Sequence, residues 1–204
     1  LFTAVYTSGS TGMPKGCLLN ERSLTRLYTQ NHCLATENSS YLSVSSIGFD
    51  GFNYDVLNCF GLGNTLVMLS REEYDADTIK TIISKHKIES TFLPTGFWAN
   101  LCEADKTMSL SMFANLKRVI IGGDKVSLKA AEYFVATYKN VELIDVYGPA
   151  ECSLYATSNC IDEEYLANPS IGTVAPNTNI YICDDNMNIM PRNVKGEIYI
   201  GGAA

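Results

Sequence analysis

The sequence predicts an α/β fold, a mostly parallel sheet flanked by helices and followed by a smaller β-rich segment. Three observations predict it. Short apolar runs of strand character alternate with amphipathic helical stretches, the helical stretches open on acidic or hydroxyl residues, and past about residue 168 the pattern changes to polar–apolar alternation broken by turn residues. At 204 residues, 46% hydrophobic and 18% charged, the chain has the composition of an ordered globular protein and the length to bury a full core.

The elements follow in order. Leu1 to Val5 is an apolar run leading directly into a stretch rich in glycine and hydroxyls. The longest mostly apolar stretch, Val56 to Leu69, carries Asn58, Gly61, Gly63 and Asn64, which argues against a membrane span, and its end, Leu66 to Leu69, reads as a buried strand. Behind Asp75 and Asp77, the residues Ile79, Ile82, Ile83 and His86 fall at helical spacing and predict a helix with one apolar stripe. On that stripe His86 reads as a packed or helix-terminal histidine rather than a ligand. Ile88 to Leu93 and Arg118 to Ile121 read as strands, the second ending in Gly122-Gly123-Asp124. Ser127 is the expected N-cap of a helix with Leu128, Ala131, Val135 and Tyr138 on one face, and Leu143 to Tyr147 is the next strand. Residues 1–168 are therefore expected to form the α/β core. Residues 169–204 are expected to begin a β-rich subdomain, with strands around Asn177 to Cys183 and Gly196 to Gly201 and a turn at Asp184-Asp185-Asn186. Trp98 and most of the tyrosines read as packing.

Fifteen Lys+Arg against 22 Asp+Glu give a net charge of −7, with no basic run, which argues against a nucleic-acid surface or a polybasic membrane contact. A phosphate-bearing ligand must then be held locally. Seven cysteines without a CxxC pair, and only two histidines, His32 and His86, leave little material for a zinc cluster. The cysteines are expected to be reduced, mostly buried thiols of a cytoplasmic protein, and no secretory signal is evident. Because the chain runs from Leu1 to Ala204 and stops just after a strand pattern, it is expected to be a piece of a longer polypeptide.

The segment richest in chemistry is Tyr6-Thr7-Ser8-Gly9-Ser10-Thr11-Gly12-Met13-Pro14-Lys15-Gly16. Glycines let backbone N–H groups approach an anion, the hydroxyls add neutral donors, and Lys15 adds a positive point charge, a combination suited to phosphate. A P-loop of the nucleoside-triphosphatase kind needs Gly-Lys followed by Ser or Thr. Here Lys15 stands between Pro14 and Gly16, which excludes that class.

This stretch resembles the phosphate-loop motif of the adenylate-forming superfamily, which holds the amino-acid adenylation domains of nonribosomal peptide synthetases, the acyl- and aryl-CoA synthetases and the luciferases. Further matches follow in the family's order: Phe49-Asp50 with Gly63-Asn64-Thr65-Leu66-Val67, then Asp145-Val146-Tyr147-Gly148-Pro149-Ala150-Glu151, then Ile171-Gly172-Thr173, then Gly196-Glu197-Ile198-Tyr199-Ile200-Gly201-Gly202. The resemblance implies that a carboxylate attacks the α-phosphorus of ATP to give an acyl-adenylate and pyrophosphate, after which a thiol takes the acyl group. It implies ATP and Mg2+, and a phosphopantetheine thiol on a partner carrier domain. By position in the motifs, Lys15 and Glu151 would be catalytic, Glu151 as the magnesium-associated carboxylate. Thr7, Ser8, Gly9, Ser10, Thr11, Gly12, Lys15, Gly123, Asp124, Asp145, Tyr147 and Gly148 would contact ATP. Three residues depart from the family's usual pattern: Asp145 stands where Asn is usual, Ala150 where Thr is usual, and Phe52 where a small residue is usual. Asp145 can still accept a hydrogen bond from an adenine amino group, whereas Ala150 removes a hydroxyl from the phosphate side.

Asp50 discriminates within the superfamily, because amino-acid adenylation domains place an aspartate there to pair with the substrate's α-ammonium group. Motif alignment would line the rest of the pocket with Gly51, Tyr54, Gly96, Ile120, Gly122, Val146, Leu154 and Tyr155. With no charge but Asp50 in that set, the expected substrate is an amino acid with a neutral side chain, medium to large because glycines make the space. The later ribose-binding motif and the C-terminal small domain with its mobile lysine are not in these residues, so incomplete catalysis by this piece alone is expected. Two rival readings are an acyl- or aryl-CoA ligase, against which Asp50 speaks, and a non-catalytic nucleotide-binding fragment, for which Ala150 and Asp145 speak.

Overall fold

Strand alternation and helix capping account for most of the architecture. The computed structural model describes residues 2–7, 13–28, 35–70 and 73–203. Strands β1 (Thr3–Thr7) and β2 (Lys15–Leu19) form an antiparallel hairpin in which Thr7 lies opposite Lys15. After it, the Asn20 side chain accepts the Ser23 N–H and starts the short helix α1 (Glu21–Thr25). Then come β3 (Ser40–Ser43), α2 (Asp50–Gly61), β4 (Thr65–Met68), α3 (Ala76–Lys85), β5 (Ile88–Pro94), α4 (Thr95–Met108), β6 (Arg118–Gly122), α5 (Leu128–Thr137) and β7 (Glu142–Tyr147). The chain continues through β8 (Thr157–Cys160), α6 (Glu163–Ala167), β9 (Thr173–Val174), β10 (Thr178–Cys183) and β11 (Glu197–Gly202).

Among the described residues the large sheet has seven strands in the order β4-β3-β5-β6-β7-β8-β9. Pairing is parallel from β4 through β7 and antiparallel for β8 and β9. Successive strand residues feed two separate cores, as a period of two requires. Leu42, Leu93, Val119, Ile121 and Leu143 join the cluster filled by α3, α4 and α5, with Trp98, Phe113 and Phe134 among its members. Tyr41, Phe92, Ile120, Ile144 and Val146 join the other, with Tyr54 and Cys59 of α2 and with Leu27 and Tyr155. The sheet is therefore covered on both faces, which is why its central strands read as nearly continuous apolar runs.

Two predicted helices keep their starts. Asp75 caps α3 by accepting the Thr78 N–H at 2.9 Å, and Ser127 caps α5. His86 sits at the C-terminal end of α3 and is exposed, so the apolar stripe ends before it. On α5 the buried residues are Ala130, Ala131 and Phe134, whereas Leu128, expected on the packed face, is 42% exposed. Leu128 lies in the first turn of the helix. The strand at Thr173–Val174 still pairs with the large sheet, and the separate two-stranded ribbon of β10 and β11 starts at Thr178. Six described cysteines are free thiols, of which Cys160 is exposed and Cys17 half-buried. Among the described residues no helix is long and apolar enough to cross a membrane.

Candidate functional site

Two cavities open at the carboxyl ends of the parallel strands, where open α/β sheets place their ligand sites. The first, about 710 Å³, lies between the residues after β6, those after β7, and the segment that follows α6. Gly123, Asp124, Val126, Leu128, Asp145, Tyr147, Gly148, Tyr165 and Ile171 are on its wall. The second, about 660 Å³, lies between the start of α2, the β5–α4 junction and the same two strand ends. Gly123, Asp124, Val146 and Gly148 belong to both walls, so the cavities meet there. Two glycines are needed at this meeting point. Gly123 has φ +92°, and a Cβ on Gly148 would come within 2.6 Å of the Tyr155 Cα.

The first cavity gathers five of the residues expected to contact nucleotide: Gly123, Asp124, Asp145, Tyr147 and Gly148. Its mixed wall, apolar with few polar groups, suits a planar base. Asp145 is buried on β7 and accepts a hydrogen bond from the Tyr165 phenol at 3.4 Å. Burial pushes its carboxyl up to about 6, against the opposing pull of that phenol. Ser8, Gly9, Ser10, Thr11 and Gly12 lie outside the described residues. Thr7 and Lys15 face each other across the neck of the hairpin, with Lys15 exposed. Neither Lys15 nor Glu151 is on the wall of either cavity. Glu151 is exposed on a 3-10 turn, Ala150–Cys152, that packs against β2. Burial raises the Cys17 thiol above its ordinary value, and the charges of Glu151 and Asp50 push it the same way. The hairpin, the turn and the start of α2 thus share one electrostatic neighbourhood.

In the second cavity stand Asp50, Gly51, Gly96, Gly122, Val146 and Leu154 of the expected pocket. Asp50 is the first residue of α2 and accepts the Gly51 N–H at 2.9 Å. Burial holds its carboxyl above the usual range, the Gly51 N–H opposes this, and the negative field of Glu151 adds to it. The structure does not bring Tyr54, Ile120 and Tyr155 to the wall: they are 2%, 0% and 0% exposed and belong to the core behind it. The residue that takes their place is Phe92, whose ring packs edge-on to Tyr54 at 6.0 Å. A Cβ on Gly51 would sit 3.0 Å from the Phe92 ring and one on Gly122 3.4 Å from it, so Phe92 fills the space the glycines leave. Asp124, expected only on the nucleotide side, also borders this cavity. Thr95, Ser45, Phe49 and Phe97 complete a wall that motif alignment did not anticipate. Phe92 was legible only as an apolar strand residue.

One further residue escaped sequence reasoning. Arg26, 3% exposed, donates from Nη2 to the carbonyls of Cys152 at 2.8 Å and Tyr155 at 2.6 Å, and from Nη1 to the Thr178 hydroxyl at 3.0 Å. Ser153 donates to the Ser23 hydroxyl at 2.6 Å. These contacts hold a segment in which Ser153 and Leu154 have φ of +55° and +91°, a conformation that residues other than glycine rarely adopt. The segment places Leu154 on the cavity wall and carries Glu151 just before it.

The chain belongs to the AMP-binding enzyme family, which matches residues 1–204. It is 31% identical over 203 residues to bacitracin synthase 3 of Bacillus licheniformis, covering 97% of this chain and 3% of that protein. It is 30% identical over 200 residues to gramicidin S synthase 2 of Brevibacillus brevis, covering 97% and 4%. The chain therefore spans only a few per cent of the length of these relatives. Its fold is that of a solved NRPS protein containing adenylation and PCP domains, with a TM-score of 0.90 and 20% identity over 98% of this chain and 40% of that one. It is likewise that of the Klebsiella oxytoca NpsA N-terminal subdomain in complex with 3-hydroxybenzoyl-AMSN, with a TM-score of 0.83 and 22% identity over 98% and 51%.

Proposed function

We propose that this chain binds ATP and an α-amino acid side by side and forms the aminoacyl-adenylate, for transfer to the phosphopantetheine thiol of a carrier domain. The observation that carries the reading is the pair of cavities meeting at Gly123, Asp124, Val146 and Gly148, with the half-buried Asp50 on the second. Adenine packs in the first cavity against Gly123, Asp124 and Tyr147, with Asp145 accepting its amino group. The α-ammonium pairs with Asp50, which leaves the substrate carboxylate free to attack the α-phosphorus as pyrophosphate leaves. Thr7, Lys15 and residues 8–12 carry the triphosphate, where donors aimed at developing charge lower the barrier.

Mg2+ suits the donor set. It is commonly held by one or two protein carboxylates with phosphate oxygens and water completing the shell, and Glu151 is exposed with no ion pair among the described residues. When bound, the ion would neutralise phosphate charge. The second cavity holds the amino-acid side chain. Its wall carries Asp50 and Asp124 and no Lys, Arg or His, so an anionic side chain would stand unpaired there, and the neutral side chain is read from the uncharged residues that make up the rest of the wall.

The test is ATP–pyrophosphate exchange by the protein that carries this chain, screened against the twenty amino acids and a set of simple carboxylic acids. Exchange driven by an amino acid with a neutral side chain supports the reading. Exchange driven by carboxylic acids without an amino group overturns it in favour of a CoA-ligase-type activity, and no exchange with any acid overturns it in favour of a binding fragment.

A further inference from the structure

Thr95, 2% exposed, stands on the wall of the second cavity with its hydroxyl unpartnered. Elsewhere in the helices Thr81 and Thr107 return their hydroxyls to the carbonyls of Asp77 and Glu103, at 2.9 and 2.7 Å. Thr95 is the first residue of α4, so the residue four positions back, Thr91, lies in β5, and no such bond forms. A buried hydroxyl without a partner is costly, and the cost is removed when a ligand supplies the missing hydrogen bond. Ser45, just beyond the neighbouring strand β3, has a second buried hydroxyl on the same wall. Ser45 also helps hold the Asp55 carboxylate by hydrogen bonding, so Thr95 is the hydroxyl of the two that nothing else engages. Asp55 itself accepts the Tyr41 and Ser43 hydroxyls at 2.8 and 2.6 Å, and so is already partnered.

Val44, Phe49, Phe92, Pro94 and Phe97 are apolar members of the same wall, with Phe92 closing the space beside Gly51 and Gly122 and thereby bounding the size of what enters. We propose that Thr95, with Ser45 beside it, determines specificity by hydrogen-bonding a neutral polar side chain, so that the amino acid taken is one with a side-chain hydroxyl or carboxamide. This rests on the amino-acid reading above and narrows it from neutral to neutral and hydrogen-bonding. A wall that hydrogen-bonds its ligand rejects an apolar isostere, because the rejected complex leaves the buried group unpaired.

The experiment compares wild type, Thr95→Val and Thr95→Ser in amino-acid-dependent ATP–pyrophosphate exchange, using Ser, Thr, Asn and Gln against the near-isosteres 2-aminobutyrate, Val and Leu. The wild type is expected to prefer a hydroxyl or carboxamide amino acid. Thr95→Val is expected to lower kcat/KM for that substrate by about 10- to 100-fold, mainly through KM, and to leave the apolar isosteres unchanged or improved. Thr95→Ser, which keeps the hydroxyl, is expected to restore the preference, separating loss of a hydrogen bond from loss of packing. A wild-type preference for an aliphatic amino acid, or a polar preference untouched by Thr95→Val, overturns the Thr95 assignment and leaves the amino-acid reading standing. Exchange driven only by acids without an amino group overturns both.

Discussion

The two cavities are almost equal in volume, about 710 and 660 Å³, yet they are assembled in different ways. The first is walled mainly by two short runs, 123–126 and 145–149, with support from α5, α6 and the segment after it. Each run is a strand end and the turn that leaves it, so its shape is largely settled by local backbone. The second draws one to four residues from each of many segments, from Val44 to Leu154, and its shape exists only once the sheet, α2 and α4 have packed. On the proposed function, the nucleotide side is the one built from contiguous segments and the amino-acid side the one whose wall members can change one at a time.

Three substitutions would break or sharpen this contrast. The largest effect is expected at Asp50. Asp50→Ala should lower amino-acid-dependent exchange at least about 100-fold, equivalent to about 3 kcal/mol or more for an ammonium left without its counter-charge, while the KM for ATP changes by only a few fold. An equal loss on the ATP side would show that the cavities do not act separately. Next in size, Arg26→Met should reduce stability by about 3 kcal/mol and melting temperature by about 10 °C, because two buried carbonyls lose their donors and the segment of Ser153 and Leu154 loses its clamp. Arg26→Lys should rescue little, since one ammonium cannot span the same acceptors.

The smallest effect is expected at Asp145, whose carboxyl is held up to about 6 in the fold. Ordinary carboxyls titrate near 4, so the folded protein holds that proton longer than the unfolded chain. Stability from this residue is full below about pH 4 and is lost as pH rises through about 6. Asp145→Asn should remove that slope, a difference on the order of 1 to 2 kcal/mol once solvent screening is allowed for. Denaturant unfolding of both proteins at pH 4 and pH 7 measures it. Parallel curves would show that Asp145 is not the group responsible.

How much was legible follows the same division. The strands Ile88 to Leu93, Arg118 to Ile121 and Leu143 to Tyr147 declare themselves by composition, and Asp75 and Ser127 declare their helices by capping. Helix α2 was not anticipated because its side chains mix Asn, Asp, Cys and Gly without a clean apolar stripe, and its buried Asp55 is satisfied by hydroxyls from β3 that only tertiary packing supplies. In the candidate site, the motifs pointed to Asp50 and the two glycine-bearing turns, which stand on the cavity walls. Phe92 was missed because a phenylalanine in a strand carries no sign of which face it takes or what stands opposite. Tyr54, Ile120 and Tyr155 were misplaced for a related reason: each is on the correct face, but one layer too deep. Arg26 gave no signal, since its acceptors lie more than 120 positions along the chain.

The wall common to both cavities has a consequence for how such a protein can change its substrate. Val146 and Gly148 border both cavities, and Gly123 and Asp124 do the same. A mutation at any of these four positions alters the wall of both compartments at once. Exploration is left to the opposite rim, Phe49, Phe92, Thr95, Gly96 and Phe97, which touches only the second cavity. On the proposed function, a laboratory library aimed at a new amino acid is best confined to that rim, where each round of variation leaves the wall of the first cavity as it was.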